Sequence, residues 1–151
     1  LRRSSAASDV YKRQHISGPK KIKNLNNLVT KEYPNFPTDL QAQFMVLLCK
    51  AKGKSSITES IFENRFMHVA ELRRLGAEIL IKKNKAFISG DTNFQAAELM
   101  SSDLRASVAL VLAAIVATGS STINRIYHLD RGYENIENKL RKVGVNIRRV
   151  N

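Results

Sequence analysis

The chain has 151 residues, 43% of them hydrophobic and 25% charged, which is the composition of an ordinary soluble protein with one core. Its longest apolar run, residues 108–117, has about half the length of a bilayer-spanning helix, so we expect no contact with a membrane. The formal charge of +12 suggests a polyanionic partner, but the basic residues are dispersed among acids and aromatic residues are few. We therefore expect no nucleic-acid partner.

The N-terminal stretch, residues 1–14 (LRRSSAASDVYKRQ), differs from the rest of the chain. It begins without methionine, is rich in Ser, Ala and Arg, and shows no helical or strand periodicity. It also lacks the apolar segment of a secretory signal. We expect residues 1–14 to be a non-native or disordered extension, and we expect the protein to be cytoplasmic.

A first set of elements follows Asp39. A helix is predicted over LQAQFMVLLCKAKG, which ends at Gly53, because its apolar residues recur at helical spacing. The β-branched stretch KSSITES, residues 54–60, predicts a strand. An amphipathic helix, MHVAELRRLG, then ends at Gly76 as a C-cap glycine would. Charged and apolar residues alternate over residues 78–89, interrupted by KKNK, and predict a hairpin.

The same order of elements returns after Asp103. A helix is predicted over LRASVALVLAAIVATG up to Gly119, and a strand over SSTINRIY, residues 120–127. A second amphipathic helix, GYENIENKLRKVG, ends at Gly144, and VNIRRVN, residues 145–151, predicts a last strand. The two copies are about 64 to 68 residues apart. This repeat predicts layered α/β packing of two related units.

Charged residues occupy matching positions in the two copies. Asp39 and Asp103 each precede a helix, and Arg65 and Arg131 each lie at a strand-to-helix turn. An Asp before a helix usually caps it, and an Arg at a turn usually lies on the surface. Two acids and two arginines in equivalent places, with Arg105 beside Asp103, are also typical of a site for an anionic substrate with a proton to move. Both interpretations stay open on the pattern alone.

The single cysteine and the histidines suggest structural roles. Cys49 lies among apolar residues at helical spacing, so we expect a buried thiol and no disulfide. His68 and His128 begin or precede a helix, and neither has a second ligand at metal-binding spacing. We expect no metal site, and a local hydrogen-bonding role for each histidine.

Four segments carry a family resemblance: FPTDLQAQF, TESIFENRFMHVAELRRLGA, DLRASVALVLA and RIYHLDRGYENIENKLRKVGVNIRRV. They resemble the C-terminal part of the enolpyruvyl transferases that act on UDP-N-acetylglucosamine. The resemblance covers about residues 15–151. It implies an α/β (α+β) fold, namely two consecutive strand-helix repeats of an inside-out α/β barrel domain, at about residues 26–96 and 97–151.

The resemblance also implies an activity. The family transfers enolpyruvate from phosphoenolpyruvate to the 3-hydroxyl of UDP-N-acetylglucosamine and releases phosphate, at the first committed step of peptidoglycan synthesis, with no cofactor. The implied partner of this chain is a missing N-terminal part of the same enzyme, which carries the catalytic cysteine. Cys49 does not match that cysteine, and we expect the chain to be inactive alone.

Three matched residues concern the sugar and the reacting centre. By the resemblance, Asp39 is the general base that takes the proton of the 3-hydroxyl, and Ile61 holds the UDP-sugar through its backbone. Asp103 resembles a residue that positions the reacting centre. A sugar hydroxyl is a poor nucleophile, so a carboxylate within hydrogen-bond reach is what this reaction needs.

Three matched arginines concern the anionic groups. Arg65 and Arg105 resemble the arginines that receive the substrate carboxylate, and Arg131 resembles the one that closes on the phosphate. The alternative is a non-enzymatic α/β domain that uses the same arginines to bind an anion or a nucleotide. Asp39 discriminates between the two, because a carboxylate beside the arginines opposes an anionic ligand and serves a transferase.

Overall fold

The computed structural model describes residues 17–150. The extension expected over residues 1–14 therefore lies outside the described residues, as does His15. Within residues 17–150 no helix is both long enough and apolar enough to cross a membrane.

The first unit contains a four-stranded sheet and two α-helices. Strand β1 runs parallel to β2, β2 is antiparallel to β4, and β3 and β4 form the expected hairpin, which gives the sheet order β1-β2-β4-β3. The hairpin turns at Lys83, whose φ of 53° is left-handed. The elements are β1 (Leu28–Val29), a 3-10 helix (Thr38–Leu40), α1 (Gln41–Lys50), β2 (Lys54–Thr58), α2 (His68–Arg74), β3 (Ile79–Lys82) and β4 (Lys85–Ser89).

The second unit has a smaller sheet. Its two strands, β5 and β6, are parallel and pair only with each other among the described residues. Helix α3 contacts α1 and α2 of the first unit as well as α4 of its own. The elements are β5 (Glu98–Met100), α3 (Leu104–Ile115), β6 (Thr122–Asn124), α4 (Tyr127–Asp130) and α5 (Ile136–Lys142).

Equivalent backbone hydrogen bonds relate the two units. In each unit the segment that precedes the first helix pairs in parallel with the segment that follows it. The Thr30 N–H donates to the Thr58 carbonyl at 3.0 Å, and the Ser101 N–H donates to the Asn124 carbonyl at 3.1 Å. The glycines predicted to end the helices share one conformation, with φ between 92° and 96° at Gly53, Gly76, Gly119 and Gly144. That left-handed conformation favours glycine, and Gly76 and Gly144 end α2 and α5 as predicted. The other two predicted ends are wrong, because α1 already ends at Lys50 and α3 at Ile115.

Two predicted strands are wrong in part. The strand predicted over residues 120–127 is limited to β6, because Tyr127 already begins α4. Residues 145–150 form no strand, because no other described segment pairs with them in a ladder. Their contacts with the fold include Ile147, which packs against the smaller apolar cluster, and Arg149, whose guanidinium donates two hydrogen bonds to the carboxylate of Asp130 at 2.7 and 2.9 Å.

The core lies between the helices and the four-stranded sheet. Cys49 is fully buried there, which confirms the expected structural thiol. Each fully buried large apolar side chain contributes roughly 1.5–3 kcal/mol to folding. A smaller apolar cluster connects α3 to α4 and α5. The main core includes Met45, Leu48, Ile57, Leu72, Leu75, Ile88, Phe94, Leu99 and Leu110.

Candidate active site

Asp39 and Arg105 connect the two units at one end of their helices. Asp39 lies in the 3-10 helix that leads into α1, and Arg105 is the second residue of α3. The Nε of Arg105 donates to Oδ1 of Asp39 at 2.6 Å. The Arg105 side chain keeps 38% of its surface exposed, and the Asp39 side chain keeps 62%. An ion pair this exposed contributes at most about 1 kcal/mol to stability, so both groups remain available to a ligand.

Asp103 caps α3. Its Oδ1 accepts hydrogen bonds from the N–H groups of Arg105 at 2.9 Å and of Ala106 at 3.0 Å. The cap fixes the first turn of α3 and with it the origin of the Arg105 side chain. Asp39 makes no such cap, because it lies inside a 3-10 helix that begins after Pro37. The two aspartates therefore differ in function although they occupy matching positions in the sequence.

Arg131 lies near the same end of α3. It follows α4 directly, and a Cβ added to the next residue, Gly132, would come within 2.9 Å of the Leu104 side chain. The turn that carries Arg131 thus packs on the first residue of α3. The Arg131 side chain is exposed, and among residues 17–150 it has no ion-pair or hydrogen-bond partner. Its guanidinium is free to meet an anion from solvent.

Ile61 and Arg65 lie along a groove that is connected to Asp39 through Glu59, which lines the groove and accepts a hydrogen bond from Thr38, the neighbour of Asp39. The groove, of about 850 Å³, runs between residues 59–67 and the tip of the β3–β4 hairpin. Arg65 places its guanidinium over the Phe62 ring, 4.5 Å from the centroid. The Ile61 N–H donates to Glu59, and within the described part of the chain no donor meets the Ile61 carbonyl. That carbonyl can accept a hydrogen bond from a ligand.

Glu59 is a buried residue that the sequence analysis missed. It is 3% exposed, yet its carboxylate accepts four hydrogen bonds, from the hydroxyls of Thr30 and Thr38 and from the N–H groups of Ile61 and Phe62. Burial raises the pKa of this carboxyl, but the four hydrogen bonds outweigh burial and hold the pKa below its usual value. Its position directly after β2 is the only sequence feature that could have indicated it.

His68 begins α2 and is 3% exposed. Burial lowers its pKa to about 4, although the nearby Asp103 carboxylate acts in the opposite direction. The expected hydrogen-bonding role is wrong for Nε2, which is buried and has no partner among residues 17–150. In the described part of the chain no three potential metal ligands lie close enough to hold a metal ion.

The family of the chain follows from comparison with known proteins. The model of the family "EPSP synthase (3-phosphoshikimate 1-carboxyvinyltransferase)" matches residues 4–140. The chain belongs to this family. The expected enolpyruvyl-transferase type of α/β fold is thereby confirmed, and solved structures agree with it.

Members named UDP-N-acetylglucosamine 1-carboxyvinyltransferase are similar to this chain over most of its length. The protein of Pelagibacter ubique is 67% identical over 136 residues, which are 90% of this chain and 32% of that protein. The protein of Helicobacter pylori strain 26695 is 54% identical over 132 residues, which are 87% of this chain and 31% of that protein. The chain thus spans about a third of the length of the curated relatives it matches.

Two solved structures share the fold. The enolpyruvyl transferase NikO from Streptomyces tendae superposes with a TM-score of 0.79 and 28% identity, over 86% of this chain and 30% of that one. The EPSP synthase from Acinetobacter baumannii superposes with a TM-score of 0.71 and 16% identity, over 87% of this chain and 32% of that one. At 16% identity the second match supports the fold alone.

Proposed function

We propose that this chain forms one wall of the active site of an enolpyruvyl transferase that acts on UDP-N-acetylglucosamine. The observation that carries the proposal is the exposed Asp39 carboxylate, held at 2.6 Å by Arg105 where α1 and α3 begin. The names of the relatives, at up to 67% identity, supply the substrate. We place the reaction in the cytoplasm, within peptidoglycan synthesis.

Asp39 acts as the general base. It accepts the proton of the sugar 3-hydroxyl as the oxygen bonds to C2 of phosphoenolpyruvate, while C3 takes up a proton. The resulting tetrahedral adduct then loses phosphate from C2 and a proton from C3, which restores the double bond in the enolpyruvyl ether. Arg105 fixes the direction of the Asp39 carboxylate, and the Asp103 cap fixes Arg105.

Three arginines receive the anionic groups of the second substrate. Arg105 and Arg65 bind its carboxylate, since a planar guanidinium can bond both oxygens at once. Arg131, exposed beside the first turn of α3, binds the phosphate. The open carbonyl of Ile61 accepts a hydroxyl of the UDP-sugar.

The rest of the catalytic apparatus comes from a longer protein. Stabilisation of the adduct needs charged groups on both sides of the reacting atoms, and this chain supplies one side. A partner region, equivalent to the remaining two thirds of the curated relatives, supplies the other side and the proton for C3. The chain alone is therefore inactive.

A binding titration tests the sugar site directly. We expect UDP-N-acetylglucosamine to bind the folded chain saturably, with roughly tenfold weaker binding by Asp39→Asn, which loses a charged hydrogen-bond acceptor. Asp91→Asn is the matched control, because Asp91 lies on another turn and only meets the Gly53 N–H at 3.4 Å. UDP-N-acetylglucosamine binding that is the same in all three proteins would favour the anion-binding alternative.

A chimera tests the reaction. In the full-length Pelagibacter ubique relative, the matched 136 residues are replaced by those of this chain, and phosphate release is measured with both substrates. We expect activity in the chimera and loss of it in the Asp39→Asn version. A folded chimera without activity contradicts the proposed function.

A further inference from the structure

Glu59 connects two parts of the site that are distant in sequence. Its Oε2 accepts from the Thr38 hydroxyl at 2.8 Å, and Thr38 is the neighbour of Asp39. Its Oε1 accepts from the N–H groups of Ile61 at 3.0 Å and of Phe62 at 3.3 Å. One carboxylate thus holds the 3-10 helix with one oxygen and the turn after β2 with the other.

The connection is rigid because it is buried and saturated. A buried carboxylate is costly unless hydrogen bonds replace its water, and Glu59 has four donors. Thr30 directly follows β1 and is fully buried. Its hydroxyl donates to Oε1 of Glu59 at 2.7 Å and accepts a hydrogen bond from the Ser60 N–H at 3.0 Å. Neither Glu59 oxygen can shift without breaking a bond that has no substitute from solvent.

The fold does not require this arrangement, as the second unit shows. The equivalent backbone bonds place Ser101 in the position of Thr30 and Arg125 in the position of Glu59. Arg125 is exposed and has a left-handed φ of 56°, and the buried Ser101 hydroxyl has no hydrogen-bond partner in the part of the chain that the structure describes. The second unit forms the same strand pairing without a buried acid, so pairing of the strands does not explain Glu59.

We propose that Glu59 is a positioning residue, which aligns the Asp39 base with the Ile61–Phe62 turn so that both address one substrate. This inference rests on the proposed function. Glu59 touches no substrate itself. Its bond to Thr38 sets the direction of the 3-10 helix. Its bond to the Phe62 N–H turns the Ile61 carbonyl outward, because that carbonyl shares a planar peptide with the Phe62 N–H and points the opposite way.

The two oxygens allow the two effects to be separated in the active chimera. Thr38→Val removes only the Oε2 bond at nearly constant volume, so we expect kcat to fall roughly tenfold or more while KM for UDP-N-acetylglucosamine stays within about twofold. Glu59→Ala removes both sides, so we expect the same fall in kcat together with a roughly tenfold rise in that KM. Glu59→Gln keeps an oxygen for the turn, and its amide can donate to the Thr38 hydroxyl, so we expect its kcat and KM to stay closer to those of the unsubstituted chimera than those of Glu59→Ala.

Thr92→Val is the matched control, because Thr92 is a buried threonine outside the site. The kcat and KM of the Thr92→Val chimera should equal those of the unsubstituted chimera. If Glu59→Ala fails to fold, Thr38→Val still decides the question. A Thr38→Val chimera that melts at lower temperature but keeps kcat and KM would overturn the positioning role and leave the proposed function standing. An inactive unsubstituted chimera would overturn both.

Discussion

Asp39 and Asp103 should differ in their effect on stability, although they begin equivalent segments. Asp103→Ala removes two hydrogen bonds to the first turn of α3, of 2.9 and 3.0 Å. Loss of such a cap costs about 1 kcal/mol, within a range of roughly 0.5–2 kcal/mol. Asp39→Ala removes one exposed ion pair and no cap, which costs roughly 0.3 kcal/mol.

The assay is unfolding of the chain, followed by circular dichroism in urea and on heating. For a chain of this size, 1 kcal/mol corresponds to a shift in Tm of about 2–4 °C. We therefore expect Asp103→Ala to melt about 2–4 °C lower, and Asp39→Ala to melt within about 1 °C of the unsubstituted chain.

Asp103→Asn is the matched control for the cap. Asparagine keeps the acceptor oxygen, so its stability should lie within about 0.5 kcal/mol of the unsubstituted chain. If Asp39→Ala cost as much as Asp103→Ala, the assignment of the cap to Asp103 alone would be wrong. If Asp103→Asn cost as much as Asp103→Ala, the charge of Asp103 and not its hydrogen bonds would stabilise α3.

Three further predictions concern the core. Burial lowers the pKa of His68 from 6.5 to about 4, so the stability of the fold is highest above pH 6.5 and about 3 kcal/mol of it is lost as the pH falls to 4. In urea unfolding, His68→Gln should lose less stability between pH 6.5 and pH 4 than the unsubstituted chain. Burial raises the pKa of Cys49 from 9.0 to about 12, with a smaller opposite effect from the hydrogen bond with Thr92. The thiol should therefore resist iodoacetamide at pH 8 until urea unfolds the chain. Its contribution to stability should be lost only as the pH rises from 9 towards 12. A Cβ at Gly90 would lie 1.8 Å from the Ala51 carbonyl oxygen, so Gly90→Ala should destabilise the chain by roughly 3 kcal/mol in urea, whereas Gly18→Ala, with open space around it, should not. Alkylation of native Cys49 at pH 8, or an unchanged Gly90→Ala, would contradict the corresponding packing.

The parts of the fold that the sequence predicted are those specified locally. Apolar periodicity indicated α1 and α3, and Gly76 and Gly144 marked the ends of α2 and α5, where the backbone has a left-handed φ. The hairpin of β3 and β4 was likewise apparent from alternation around KKNK. Each of these features depends on neighbours within a few residues, so sequence spacing is enough to indicate it.

The parts that it did not predict depend on distant partners. Strands β1 and β5 have only two and three residues, too few for an alternating pattern, and they are strands because β2 and β6 lie beside them. The strand expected over residues 145–151 has the right composition, but its residues 145–150 pair with no other described strand. Composition alone does not make a strand, since the ladder supplies its hydrogen bonds.

The candidate site divides in the same way. The sequence indicated all six proposed residues, but not that Arg105 binds Asp39 across 66 positions of the chain. Glu59 was missed because its function depends on Thr30 and Thr38, which approach it from two other segments. The roles of the six residues stay predictions until the titration and the chimera are measured.

The unequal sheets of the two units have a consequence for local opening. Strands β2 and β4 are hydrogen-bonded to each other inside a four-stranded sheet. Strands β5 and β6, of three residues each, form a two-stranded sheet. An isolated two-stranded pair is marginally stable in water. Amide protons of β6 should therefore exchange with deuterium well before those of β2, so that the second unit opens while the first remains closed.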